Sequence, residues 1–481
     1  MNNHKQLAKI FNFFIFIFLL IGTILGNLFS SYLSFTFLFI LFSLLAYFLS
    51  KKDKALSSEL SLSFLIICLG ALLFISSGFD QKNISFKKRQ KVTAKVVTLP
   101  QEKNNKNTFL AEVIKVGGHR QNLQVKVMDY SKKMSYLNKY EFQAKLSRRN
   151  YYGKDFYYLW VKKNTQIKKI PLSSWEKAVK YTNNYCLEVF KNNCSLRAKN
   201  FLAAIFLGRK ELIGKEKEFI QNAGLSHLLA ISGLHVGLIS LILFYFLRFF
   251  QISFRAILFI LSIFLFFYLA VTGFRPSTQR AVIMYFVFAF GFFIKRRVEP
   301  LNSLGLAGVI LLLLLPSIVY DIGFQLSFLA VFGIILGFRI FPYKQQGNLL
   351  INYLKQIFLC SVFVILFTLP IVSFYFGKIY LLSIFYNLIL IPIFTLILFL
   401  NLLLIIFSPL AFFAQSLGAV LSWLVYIFQK LAKVFGFFPY SYLSYSFSPQ
   451  GIFVYYLLLF AAIVLFLKRK SLYSAFKNLQ T

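Results

Sequence analysis

The residues able to do chemistry in this chain lie inside apolar surroundings. His227, Ser232, Gly233, His235 and Gly237 fall within the run His227-Leu-Leu-Ala-Ile-Ser-Gly-Leu-His-Val-Gly-Leu-Ile-Ser-Leu241. Ser232 precedes His235 by three residues, a spacing open to a hydroxyl activated by an imidazole. Such a nucleophile needs a third group to orient its base, and no carboxylate is near in sequence. A second polar group is Arg275, Ser277, Thr278, Gln279 and Arg280; a third is Asp321 with Gln325, one helical turn apart on a shared face. One reading pairs Asp321 with Arg275 or Arg280 as a structural ion pair. The other leaves the arginines to meet phosphates, which the planar guanidinium binds in bidentate fashion. A mixture is expected, with one arginine paired and one free. Asn387 and Gln415 read as contacts between helices. The four histidines (His4, His119, His227, His235) and four cysteines form neither a CxxC pair nor a metal-ligand cluster. No Gly-x-x-x-x-Gly-Lys loop occurs, so the chain is not expected to hydrolyse nucleotide. No cofactor is implied.

These residues must be positioned by membrane helices. Hydrophobic residues make up 58% of 481, and 62 are Phe. Apolar runs of spanning length recur at 10–29, 35–49 and 60–77. They resume at 227–247, 256–273, 276–294, 301–319, 322–338, 351–374, 380–407, 411–435 and 452–467. The fold class is a polytopic α-helical membrane protein of about twelve spans, with both termini in the cytoplasm. Arg248 and Arg255, Lys295-Arg-Arg297, Arg339 and Lys344, and Lys468-Arg-Lys470 fall on one side if residues 81–170 lie outside. On a single crossing at 227–247, His235 would lie roughly 12 Å from His227 along the helix. The segments at 380–407, interrupted by Pro392, and at 227–247, open to a re-entrant path, fit the pattern least well.

The expected domains are N-terminal transmembrane helices (1–79), a small inserted all-β domain (80–172), amphipathic surface helices (173–223), the polytopic domain (224–468) and a basic cytoplasmic tail (469–481). In the second, Val92-Thr-Ala-Lys-Val-Val-Thr98, Thr108 to Val116, Asn122 to Val127 and Tyr140 to Leu146 alternate apolar and polar, and Gly117-Gly118 marks a turn. Several short strands in so few residues suit an OB-fold. The net charge is +38, and this segment carries Lys87-Lys-Arg89, Lys132-Lys133, Arg148-Arg149, Lys162-Lys163 and Lys168-Lys169. Tyr151, Tyr152, Phe156, Tyr157, Tyr158 and Trp160 interleave. Cations with stacking aromatics are how OB-folds hold single strands. A solvated basic surface over an ordinary aromatic core, or attraction to anionic head groups, accounts for them equally well. The helices at 173–223 read as lying on the membrane or as a soluble hairpin on the barrel. Cys186 and Cys194 would be roughly 12 Å apart on one helix, too far to bridge without a break near Asn192-Asn193.

Three stretches carry a resemblance. His227-Leu-Leu-Ala-Ile-Ser-Gly-Leu-His-Val236, Val271-Thr-Gly-Phe-Arg-Pro-Ser-Thr-Gln-Arg-Ala-Val-Ile-Met284 and Asp321-Ile-Gly-Phe-Gln-Leu-Ser-Phe-Leu-Ala-Val331 resemble, in order, motifs of the ComEC family, the membrane channel of bacterial natural transformation. Residues 150–159 resemble the end of that family's extracytoplasmic domain, without the usual proline before the glycine. The resemblance implies a multi-pass protein of the cytoplasmic (inner) membrane that passes single-stranded DNA inward. It also implies a membrane DNA receptor, a cytoplasmic helicase-like motor and a separate nuclease as partners, besides the lipid bilayer. His227, Ser232, Gly233, His235, Arg275, Ser277, Arg280, Asp321 and Gln325 become candidates for the DNA path. No His-x-His-x-Asp-His cluster occurs, so the expected form lacks the metallo-β-lactamase-like domain of many members and is not an enzyme. The alternatives are an intramembrane enzyme, a small-molecule or lipid transporter of the same fold, or a non-conducting anchor for a DNA receptor.

Overall fold

The computed structural model describes Ile17 and residues 89–479, apart from residues 99, 104–105, 118, 152–153, 215, 230, 294–298, 315, 343–347 and 439–440. The three N-terminal spans and Lys87-Lys88 lie outside the described residues.

Alternation builds the first unit. The strands are β1 (Arg89–Val96), β2 (Gln101–Lys103), β3 (Lys106–Val116), β4 (His119–Asp129), β5 (Lys139–Tyr151), β6 (Lys154–Val161) and β7 (Ile167–Ile170). β1 pairs with both β3 and β5, β3 with β4, β4 in parallel with β6, and β6 with β5. The ring β1-β3-β4-β6-β5 is therefore closed, a five-stranded Greek-key barrel of the OB type. Inward positions supply its core, among them Val92, Ala94, Phe109, Val113, Val127, Phe142, Leu146 and Leu159. Outward positions are polar or cationic, as period-two patterning requires. Gly117, at φ +58°, makes the turn into β4.

Helices α1 (Ser174–Asn193) and α2 (Leu196–Leu207) follow. Ser173 and Glu176 form a capping box on α1, and Ser195 caps α2. α1 is amphipathic, burying Val179, Cys186 and Phe190 and exposing Trp175 and Tyr181, whereas the second half of α2 is buried on all sides. Phe190, Phe201, Leu202 and Ile205 share one core with Ile239, Leu265, Phe394 and Phe428 of the membrane helices. The apolar run Phe201–Leu207 is too short to cross a membrane, but it is apolar on every side, which is the pattern of a buried helix. Length alone made it look like a surface element. Two glycines admit this packing. A Cβ at Gly418 would lie 2.0 Å from the Asn193 carbonyl oxygen, and one at Gly436 would lie 2.5 Å from that of Phe219. Cys186 and Cys194 are both free, since α1 runs unbroken to Asn193.

The remaining helices are α3 (Glu216–Asn222), α4 (Ser226–Leu229), α5 (Gly233–Phe249), α6 (Phe254–Val271), α7 (Pro276–Phe293), α8 (Pro300–Leu314), α9 (Ile322–Ile340), α10 (Leu349–Phe376), α11 (Ser383–Ile406), α12 (Ala411–Phe437) and α13 (Pro449–Leu479). Among the described residues, five are long and apolar enough to cross a membrane: α6, α9, α10, α11 and α12. α5, α7, α8 and the first half of α13 are shorter apolar helices. The chain follows the expected segments closely, and Pro370 and Pro392 sit inside continuous helices. Two segments differ. The segment at 301–319 ends as α-helix at Leu314 and becomes a 3-10 turn from Pro316 to Tyr320. The segment at 227–247 is not one helix: α4 stops at Leu229, Ser232 is extended, and α5 begins at Gly233.

Candidate functional site

Two groups of side chains stand out, one on the barrel and one at the break before α5.

On the barrel, β4 and β5 flank β6 so that Lys126 is registered with Tyr158, Met128 with Trp160, Lys145 with Trp160 and Ser147 with Tyr158. All of these are outward positions. The Lys106 ammonium lies 5.5 Å from the Tyr130 ring centre and 5.4 Å from that of Trp160, whose Nε1 donates to Ser147 Oγ. Leu110 and Tyr130 are exposed beside them. The aromatic run thus splits by strand parity: Leu159 and Val161 enter the core, Tyr157 packs partly against it, and Tyr158 and Trp160 line the outer surface.

Beneath the barrel, the loop before β5 meets the membrane helices. Tyr136 stacks on the guanidinium of Arg209 at 3.3 Å, and burial, the main cause, pushes its hydroxyl up to about 12 against the pull of Arg209. Arg209 is fully buried, and its Nη2 donates to Asn183 Oδ1 at 3.0 Å. Its chain neighbour Lys210 is held down to about 8, first by burial and then by Arg275 and Lys217. Arg275 donates from Nη2 to the Gly208 carbonyl. Gly208 sits at φ +76°, where a Cβ would come within 3.0 Å of the Arg275 guanidinium.

At the break itself, the Ser232 backbone N–H donates to His235 Nδ1 at 3.2 Å, and Ser232 Oγ lies 3.1 Å from the same atom. His235 Nδ1 is therefore the acceptor and the ring carries its proton on Nε2, which is buried near the Leu228 backbone without a well-formed hydrogen bond among the described residues. His235 meets Phe394 edge-on at 5.1 Å. No carboxylate orients it among the described residues, so the Ser232–His235 pair lacks the third group that a nucleophile needs. His227 is exposed on the separate α4 rather than a few turns along one helix. Ser277 Oγ donates to the Ile231 carbonyl at 2.6 Å and ties α7 to the break. Arg280, one turn on, is 2% exposed. Among the described residues its Nη1 has no acceptor, and its guanidinium lies 5.7 Å from the Phe328 ring centre.

The expected ion pair is absent. Asp321 is exposed and spends its Oδ1 on the Phe324 N–H at 2.8 Å as the N-cap of α9. Gln325 donates to the Val319 carbonyl. Asp321 and Gln325 thus hold α9 and the turn before it, Arg275 holds the Gly208 turn, and only Ser232, Gly233, His235, Ser277 and Arg280 gather at the break. Asn387 bridges to Ser361 as a helix contact, whereas Gln415 is exposed. Sequence reasoning missed Arg209 and Asn183. The signal was the Gly-Arg-Lys-Glu stretch following a run apolar on all sides. Among the described residues no three His, Cys, Asp or Glu side chains cluster as metal ligands.

Comparison with known proteins places the chain in a family. The profile of the family described as Competence protein matches residues 205–470, from the end of α2 into α13. ComE operon protein 3 of Bacillus subtilis (strain 168) is 35% identical over 175 residues, covering 36% of this chain and 22% of that protein. An uncharacterized protein of Aquifex aeolicus (strain VF5) is 29% identical over 172 residues, covering 35% of this chain and 40% of that one. The matched stretch spans less than half the length of either relative. No solved structure matches. With the family profile covering more than half of its residues and its apolar helices in sequence order, the chain belongs to the Competence protein family, as a multi-pass protein of the cytoplasmic membrane.

Proposed function

We propose that the protein passes single-stranded DNA across the cytoplasmic membrane during natural transformation. The observation that carries this reading is the barrel surface on which Lys106 lies over Tyr130 and Trp160, with Lys126 and Lys145 in register beside Tyr158 and Trp160. Bases stack on aromatic faces whatever their sequence, and lysines track the backbone phosphates. A DNA conduit must accept every sequence, so it calls for recognition of this kind. Family membership supports the same reading.

In this reading the barrel lies outside, about twelve spans cross the bilayer, and the strand moves from the barrel towards the break before α5. Arg280, His235 and Gly233 face the path; Arg275, Asp321 and Gln325 shape it. A membrane DNA receptor delivers the strand, a separate nuclease produces it and a cytoplasmic helicase-like motor draws it in. Deleting the gene and following labelled DNA tests the whole. DNA is expected to accumulate outside the cytoplasmic membrane and fail to reach the cytoplasm, with uptake restored by the wild-type gene. Undiminished arrival in the cytoplasm would sink the reading.

A further inference from the structure

We infer that the first turn of α5 and the Arg280 guanidinium form a binding site for a single phosphate-type oxyanion inside the membrane layer, and that in transport its occupant is a backbone phosphodiester. The second clause rests on the function proposed above; the first does not.

A buried guanidinium demands a counter-charge or acceptors, because burying a lone charge is far more costly than burying a paired one. Arg280 has neither. It is 2% exposed, its Nη1 has no hydrogen-bond partner, and the Asp321 carboxylate is committed to the α9 N-cap. The ring of Phe328 offers only a π face.

What the guanidinium does face is Gly233. Its Nη2 lies 3.9 Å from where a Cβ of Gly233 would stand. Gly233 opens a helix of 17 residues, whose first amides have no acceptor within the helix and carry the positive end of its dipole. Ser232 and His235 form a capping box that takes up the His235 amide and the Ser232 amide, which leaves the amides of Gly233 and Leu234 as the ones with no acceptor inside the helix. The Ser277–Ile231 hydrogen bond fixes α7 against the break, so Arg280 is held there. The guanidinium and the remaining helix-start amides thus meet with no anion between them among the described residues. Without a side chain, Gly233 places no atom between the helix start and Arg280 Nη2. Helix-start amides combined with a guanidinium are a recurrent solution for phosphate.

The test uses the full chain in lipid nanodiscs, with thermal unfolding and calorimetry as readouts and inorganic phosphate as the first probe. Phosphate is expected to raise the wild-type midpoint saturably. Arg280→Gln should weaken phosphate binding by about ten- to hundred-fold. In anion-poor buffer the same variant should unfold at a midpoint equal to or above wild type, because it removes an unpaired buried charge. A structural ion pair predicts the opposite. No saturable phosphate response in the wild type, or an unchanged one in Arg280→Gln, overturns the site. If Arg280→Gln does not assemble, Arg280→Lys is read instead: a weakened response supports the site, and a response equal to wild type overturns it. The second arm separates the sources. A single-stranded oligonucleotide should compete with phosphate, and an uncharged-backbone analogue of the same sequence should not. A phosphate response without oligonucleotide competition keeps the anion site and overturns its role in the DNA path.

Discussion

Arg209 and Tyr136 meet face to face at 3.3 Å, joining the barrel to the membrane helices. The two residues come from different units, a loop between strands and the turn after α2, and Asn183 of α1 completes the contact through Arg209 Nη2. Gln101 of β2 reinforces it by donating to the Glu211 carbonyl at 2.9 Å. The barrel is thus anchored by a desolvated cation over an aromatic ring.

Removing the ring should loosen that anchor. Tyr136→Ala is expected to cost about 2 kcal/mol, the worth of a desolvated cation–π contact, while Tyr136→Phe keeps the face and stays near wild type. Thermal unfolding of the purified protein separates them. Equal midpoints for Tyr136→Ala and wild type would show that the stack contributes nothing.

A second anchor responds to acid. Burial raises the Glu176 carboxyl, but the hydrogen bond from Lys139, the Ser173 N–H and the charges of Lys95 and Lys139 outweigh it and bring it from 4.5 down to about 2. The folded value lies below the unfolded one, so Glu176 contributes full stability above 4.5 and loses it as pH falls towards 2. Wild type should therefore lose stability more steeply than Glu176→Gln between those values. Parallel curves across that window would assign the acid response to other groups.

Close helix contact makes a third prediction. Gly418→Ala places a methyl group 2.0 Å from a backbone oxygen of Asn193, where nothing flexible can yield. Overpacking of this kind costs about 1–3 kcal/mol. The yield of folded protein in the membrane should fall, whereas Gly237→Ala, whose Cβ meets nothing within 4 Å among the described residues, should leave it unchanged.

The stacking surface can be tested on the assembled protein. Trp160→Ala should weaken single-stranded DNA binding at low salt by about 1–3 kcal/mol per stacked base lost, roughly 5- to 150-fold. The residual binding should fall steeply with added salt as counterion release dictates. Fluorescence anisotropy with a labelled oligonucleotide reads both. Wild-type affinity in Trp160→Ala would move the binding surface elsewhere.

Sidedness is the fifth. In a background without native cysteines, Lys133→Cys on the barrel should react with an impermeant thiol reagent applied from outside, and Arg255→Cys at the start of α6 should not. The reverse pattern would invert the topology.

Most of the fold was legible because each pattern has one dominant cause. Period-two alternation placed Val92 and Ala94 inside the barrel and Lys91 and Lys95 outside, and membrane-length apolar runs located α6 and α9 to α12. Sequence failed where a tertiary partner decides. Nothing local tells Phe201 that Phe428 will lie 5.1 Å away, so a short apolar helix looked like a surface element. Asp321 has the right charge for Arg280, but its position just before Ile322 makes it a cap first. The break before α5 was signalled by Ser232-Gly233. Which arginine stays unpaired there depended on carbonyls such as that of Gly208, which sequence does not display.

The burial of α2 has a consequence for biogenesis. Its partner α12 is synthesised about 200 residues later, roughly 10–40 s at ordinary translation rates. Until then the apolar half of α2, Phe201–Leu207, already meets α1 and α6 but leaves the face that Phe201 turns to α12 uncovered. A nascent chain stopped before Ala411 presents it permanently, a mark by which membrane quality control can tell an incomplete molecule from a finished one.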